Sequence, residues 1–291
     1  MSRPVLQAAM PLLFVLLWST GFLGAKFGLP YAEPLTFLSI RYALVITLMA
    51  LVALAMRAPW PADWRQAAHI GVTGVLVHGF YLGGVFTAIH HGLPAGIAAL
   101  VVGMQPLLTA LGAGWLLGEA VTRSQWLGLV LGFTGVALVV GSKGGLDAGA
   151  VSGLGAMVTP AVVALVAITA GTLYQKRHCP SFDLRTGSVI QFIPTLAITF
   201  VITLFTETRQ VTWSGEFVFA LLWLVVVLSL GAISLLNLLI RSGTAVNVAS
   251  LFYLTPPTTA ALAWLMFGET LSGAALAGMA IAVIGVWLAR R

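Results

Sequence analysis

Long apolar runs, broken at short intervals by charged or turn-rich stretches, set the pattern of this 291-residue chain. About 20 apolar residues suffice for a helix to cross a bilayer. Runs of that kind predict helices over 9–29, 35–56, 68–90, 94–117, 124–141, 153–175, 186–206, 216–240, 245–267 and 271–289. The breaks include RAPWPADWRQ at 57–66, KGGLD at 143–147, KRHCPSFDLR at 176–185 and TETRQVTWSGE at 206–216. None is long enough for a soluble domain. The expected fold class is an all-α integral membrane protein with ten transmembrane helices, since a helix satisfies its own backbone in lipid.

The pattern occurs twice. Residues 95–139 align without a gap on 245–289, an offset of 150 that sets Pro106 on Pro256, Thr109 on Thr259 and Gly118–Glu119 on Gly268–Glu269. Gly128 falls on Gly278, and Gly135–Val136 on Gly285–Val286. The same offset pairs Gly21 with Gly171, Lys26 with Lys176, Pro30 with Pro180 and Thr36 with Thr186. Two halves of five spans each are expected, 1–147 and 148–291. An odd number of spans turns the second half upside down, so the repeats are inverted, an architecture suited to alternating access.

Composition sharpens the class. Hydrophobic residues make up 59% of the chain and charged residues 8%, roughly a third of the soluble average. The net charge of +6 would point to nucleic acid in a soluble protein, but here the basic residues lie mostly in loops between apolar runs. With the N-terminus inside, the inner face receives Arg3, Arg57, Arg65, Arg123, Lys176, Arg177, Arg185, Arg241, Arg290 and Arg291. The outer face receives Lys26, Lys143 and Arg209, and the acids Glu33, Asp147, Glu207, Glu216 and Glu269. This bias predicts a multi-pass membrane protein with both termini cytoplasmic, and the bacterial inner membrane is the expected location. A single cysteine, Cys179, excludes an internal disulfide framework. The first apolar run has no small-residue cleavage site and reads as a retained helix.

Three stretches carry a family resemblance: WSTGFLGAKFG in the first span, FLSIRYALV in the second, and QPLLTALGAGWLLGEAVTRSQWLGLVLGFTGVALVV across the fourth and fifth. They resemble the EamA repeats of the drug/metabolite transporter superfamily in its ten-span form, over nearly the whole chain. Within it the chain is most similar to the YddG-type exporters of aromatic and other neutral amino acids. The resemblance implies a central cavity lined by spans 1, 3, 4, 6, 8 and 9.

Polar residues far from the headgroups must find a partner or face water. At that depth lie Ser19, His78 and Gln105, with Trp18 beside Ser19, Tyr81 three residues from His78, and Tyr253 about one turn off the midplane. These six are the candidate substrate-binding residues; His78 and Gln105 hydrogen-bond the polar end of a substrate, while Trp18 and Tyr81 give aromatic walls. The competing reading makes them helix-packing groups. Gly83–Gly84, Pro106 and Pro256–Pro257 are candidate hinges or gates, with static bends as the alternative. Arg41, two turns inside the second span, is expected to snorkel outward or pair with Glu33. Lys26 and Lys176 read as surface anchors, and Glu119 and Glu269 as caps or pairs at span ends. His90–His91 lacks a third ligand, so no metal site is expected. No span has a carboxylate near its centre, which favours a neutral or zwitterionic substrate over a cation and gives no strong proton carrier besides His78. Neither a phosphate-binding loop nor a nucleophile–base set is present, so no enzyme activity and no cofactor is expected. The partners expected are amino-acid substrates and the bilayer, with no obligatory protein partner. The reading is an exporter of neutral amino acids with large apolar side chains. Its rivals are an exporter of another neutral metabolite or drug, and a non-transporting sensor or scaffold.

Overall fold

The computed structural model describes residues 3–93, 95–141, 154–267 and 271–290, and among these it forms ten helical rods. The first half holds α1 (Arg3–Gly28), α2 (Pro34–Ala55), α3 (Trp64–His90), α4 (Ala95–Val102 and Gln105–Leu117) and α5 (Arg123–Gly141). The second holds α6 (Leu154–His178), α7 (Leu184–Thr206), α8 (Gly215–Ser242), α9 (Ala245–Ser250, Leu251–Leu254 and Thr255–Phe267) and α10 (Gly273–Ala289). Seven rods, α2 to α8, carry described stretches of 18 residues or more that are apolar enough to cross a bilayer; α1 and α10 hold shorter ones. The expected boundary between 147 and 148, the Gly268–Glu269 pair and the Lys26 side chain lie outside the described residues.

Local chemistry sets the rod ends. Asp63, Asp183, Ser214, Thr244 and Ser272 each place a side-chain oxygen on a free N–H of the first turn of α3, α7, α8, α9 and α10. Gly118 ends α4 in the left-handed region at φ +67°, where a Cβ would be strained. The next residue, Glu119, accepts from Ala245 N at 3.0 Å and so covers the start of α9.

Polarity runs inside out. Large apolar side chains such as Trp115 (86% exposed) and Phe205 (84%) face outward, while Ser19, Arg41, His78, Gln105, Gln191 and Asn237 are buried. That distribution suits a lipid solvent. α5 runs along α10, and α2 along α7; α1 packs on α8 and α9, and α6 on α3 and α4.

One end of the bundle is acidic. There Glu33 accepts from Thr208 N and Oγ1 at 2.7 Å, while Glu207 accepts from Leu35 N at 2.8 Å and Thr36 N at 2.7 Å. The two carboxylates thus latch the α1–α2 and α7–α8 connections to each other. The Thr208 hydroxyl holds the Glu33 carboxyl below its usual range, and the bond that the Tyr31 hydroxyl donates to Glu216 raises the phenol. At the opposite, basic end, Lys176 Nζ donates to Ile240 O at 3.0 Å and to Gly243 O. The sequence predicts a surface anchor at Lys176; instead it ties α6 to the α8–α9 turn. Arg185 holds the Asp183 carboxyl down at about 2.

Four rods are irregular, in matched pairs. α3 contains a π turn at Val75–Phe80 and α8 one at Leu224–Ala232. α4 breaks at Gly103–Met104, and α9 tightens into a 3-10 turn at Leu251–Leu254. Pro106 and Pro256–Pro257 stand in the first turn after each irregularity, where a missing N–H costs no internal bond.

Candidate functional site

A cavity lies between α1, α3 and α8, bounded by Trp18, Gly21, Tyr81, Phe86 and Leu228, with Arg41 reaching it from α2. Its lining continues from Trp18 through Ala25 and from Tyr81 through Ile89, so it leans toward the acidic end. The rings of Trp18 and Tyr81 stack nearly parallel, 6.4 Å apart at 10°. Behind the cavity wall Phe252 meets Trp18 edge-on at 5.3 Å and Phe14 at 5.4 Å. About 40 Å³ is open to the centre of a water-sized sphere, room for roughly three waters. Anything as large as an amino acid requires these helices to separate.

Arg41 is 2% exposed and points inward, not toward lipid headgroups or Glu33 as the sequence predicts. Its Nε and Nη2 donate to Ser229 Oγ at 3.2 and 3.1 Å. Ser229 lies in the π turn of α8 and donates its own proton to Leu224 O at 3.0 Å. A hydroxyl has one proton and two lone pairs, so this one is fully used. Among the described residues Arg41 forms no ion pair. The π turn of α3 is held similarly, because Tyr42 Oη donates to His78 O at 2.6 Å.

The other predicted residues surround the cavity without lining it. The His78 ring stacks on Phe192 of α7 at 4.4 Å and 10°, its Nε2 sits 3.5 Å from Gln191 Oε1, and its Nδ1 is buried without a partner. Gln105 Nε2 donates to Thr172 Oγ1 at 3.4 Å, leaving its Oε1 unpaired. Ser19 shares its proton between Val15 O (2.7 Å) and Thr255 O (3.3 Å), joining α1 to the start of the last α9 segment. The Tyr253 ring covers Gly132 of α5, and its hydroxyl is unpaired. Gly84 lets α3 approach α6, since a Cβ there would stand 2.4 Å from Pro160 O; Gly83 has ordinary space, 3.5 Å from Leu35. Trp18 and Tyr81 are therefore the two predicted residues that the structure brings together in the cavity.

Sequence reasoning missed the inward role of Arg41 and its partner Ser229. The available signal was the cost of a charge two turns inside an apolar span, which makes such a residue a functional candidate by default. It also missed the pair Gln175–Asn237, buried between α6 and α8 with Nε2 donating to Oδ1 at 2.8 Å.

A model of the EamA-like transporter family matches residues 6–141 and again residues 155–291. The "Uncharacterized transporter YvbV" of Bacillus subtilis is 28% identical over 98% of this chain and 92% of its own length. A "Probable amino-acid metabolite efflux pump" of Salmonella typhimurium is 27% identical over 95% of this chain and 92% of its own. A solved crystal structure superposes with a TM-score of 0.78 at 19% identity, covering 96% of this chain and 95% of the other. At that identity the likeness speaks for the fold alone.

Proposed function

Because the chain belongs to the EamA-like transporter family, we propose that it exports neutral amino acids with large apolar side chains through the cavity between α1, α3 and α8. The carrying observation is the stacked Trp18–Tyr81 pair in a cavity whose lining, Arg41 apart, is otherwise aliphatic and aromatic. Aromatic faces favour a large apolar side chain over a small polar one. Among the described residues no carboxylate lines the cavity, so a cationic solute would find no counter-charge there. The relative named as an amino-acid metabolite efflux pump supports the same reading.

In this reading residues 1–147 and 148–291 are inverted repeats of five spans that alternate access from the two sides. The packing supports it. An offset of 150 exchanges α1 with α6, α3 with α8 and α4 with α9. The contacts of α1 with α8 and α9 then become those of α6 with α3 and α4, both of which exist. The π turn of α3 likewise maps into that of α8. In this reading the basic end is cytoplasmic, in a bacterial inner membrane; the charge bias supports the orientation. On the same reading the Trp18–Phe252–Phe14 cluster and the Gln175–Asn237 pair close the cytoplasmic half. His78, Gln105, Ser19 and Tyr253 act by positioning the helices around the solute, and the segments after Pro106 and Pro256 move with them.

The test is initial uptake of labelled Phe, Met and Thr into liposomes holding purified protein, at matched protein amounts. Trp18→Ala and Tyr81→Ala should depress Phe and Met more than Thr. Equal effects on all three, or no uptake by the wild type, would sink the reading.

A further inference from the structure

We propose that Arg41 is the anchor for the solute's carboxylate, and that the site selects an anionic carboxylate on an apolar body irrespective of its ammonium group. The inference rests on the cavity assigned above and names what that cavity reads.

Among the described residues Arg41 is a buried cation without a counter-ion. Its partner, Ser229, is neutral and already fully engaged, by Leu224 O on one side and by Nε and Nη2 on the other. Two of the guanidinium's five N–H groups are used there, and Nη1 donates to no described residue while the side chain borders the cavity. The two acids at the start of α2, the helix that carries Arg41, are occupied elsewhere: Glu33 holds Thr208 and Arg209, and Glu207 holds Leu35 and Thr36. A desolvated charge left unpaired is costly, and the attraction between opposite charges strengthens as the dielectric falls. An entering carboxylate supplies the missing charge and matches the planar fork of the guanidinium.

The ammonium finds no equivalent. Besides Arg41 itself, the lining offers the indole and phenol of Trp18 and Tyr81 and otherwise hydrocarbon, without an acid among the described residues. Ser229 cannot serve, because its lone pairs are taken by Arg41. Ser19 spends its proton on two carbonyls and does not border the cavity. The chemistry therefore fits apolar monocarboxylates as a class, with amino acids as those members that also carry an amine.

The experiment measures binding to the full chain in detergent by competition against labelled Phe, and also directly by quenching of tryptophan fluorescence. Three analogues separate the groups: 3-phenylpropionate and N-acetylphenylalanine keep the carboxylate and lose the charged amine, while phenylalaninamide does the reverse. Both acids should bind within a few-fold of Phe. The amide should bind roughly 10- to 150-fold more weakly, the loss of a charge-assisted hydrogen-bonded contact. Arg41→Gln should erase the preference for acid over amide, and Arg41→Lys should retain part of it. Because the readout is a ratio within one variant, it does not depend on how much of each variant folds. Amide binding as tight as that of Phe in the wild type, or an acid preference that survives in Arg41→Gln, would overturn the assignment. Binding of 3-phenylpropionate through Arg41 without any Phe transport would instead overturn the amino-acid reading and leave this one standing.

Discussion

Gly135 and Gly278 face each other so closely that a Cβ on either would stand within 2.7 Å of the other's carbonyl oxygen. Gly128 and Gly285 continue the contact, with a Cβ on Gly128 2.6 Å from Gly285 O and one on Gly285 2.7 Å from Gly128 O. These four glycines let the backbones of α5 and α10 touch along their length, as small residues do between helices in lipid. Gly135→Leu should therefore force the helices apart and abolish the folded monodisperse protein in detergent. Gly114→Ala is the control, because its nearest contact is an ordinary 3.8 Å. Size-exclusion profiles of the two variants decide it, and a normal profile for Gly135→Leu would mean that the contact yields.

The glycines of that interface stand in the sequence as matches at an offset of 150 residues, which mark the repeat but do not say which helices touch. The positions of the apolar spans were legible in the same way, by counting along the chain. Direction around the helix was not. The apolar residues of α2 are spread evenly around it, so nothing in the pattern says that Arg41 faces inward. His78 and Tyr81, three apart, share a face on an ideal helix. The π turn at Val75–Phe80 rotates them apart, so that His78 meets Phe192 and Tyr81 meets Trp18. Long-range hydrogen bonds such as that of Gln175 with Asn237 leave no local signature at all.

A π turn disturbs the carbonyl ladder, and in α3 the hydroxyl of Tyr42 supplies a donor to His78 O. Tyr42→Phe keeps the ring on Phe192, 5.3 Å away, and removes only that donor. A buried carbonyl left short costs about 1–3 kcal/mol. The variant should unfold at correspondingly lower denaturant, measured by tryptophan fluorescence in detergent. An unchanged midpoint would show that the carbonyl finds another donor.

Asp183 caps α7 through Arg185 N at 2.9 Å and pairs with the Arg185 guanidinium at 2.6 Å. Its carboxyl titrates at about 2, below its ordinary value. A depressed acid contributes stability that is complete above its unfolded pKa, near 4, and is lost as pH falls toward 2. Asp183→Asn keeps a capping oxygen but cannot titrate there. The wild type should thus lose more thermal stability between pH 4 and pH 2 than Asp183→Asn does. Parallel losses would remove Asp183 from the acid response. Asp183→Ala, which lacks the cap, should cost about 1 kcal/mol at neutral pH.

The orientation is tested by single cysteines in a Cys179→Ala background. Ser181 lies at the basic end and Ser214 at the acidic end, where it caps α8. If the basic end is cytoplasmic, an impermeant maleimide added to spheroplasts should label Ser214→Cys, and should label Ser181→Cys only after lysis. The reverse pattern would invert the protein in the membrane, and with it the direction in which the cavity leans.

The last prediction concerns the closed half. Gln175 and Asn237 tie α6 to α8, and Asn237 Nδ2 has no further partner among the described residues. Asn237→Leu leaves the Gln175 amide buried and unpaired, but only while the two helices stay together. If they part during transport, water satisfies Gln175 in the open form, so the penalty falls on the closed form alone. A penalty of about 1–3 kcal/mol multiplies the open population by roughly 5- to 150-fold. Thr172, one turn deeper on α6 and 1% exposed, reports the opening when replaced by cysteine in the Cys179→Ala background. Its maleimide labelling rate should rise by that factor in Asn237→Leu and fall back when Gln175→Leu is added, since the apolar pair has nothing left unsatisfied. A labelling rate that Asn237→Leu leaves unchanged would mean that α6 and α8 do not separate at this level.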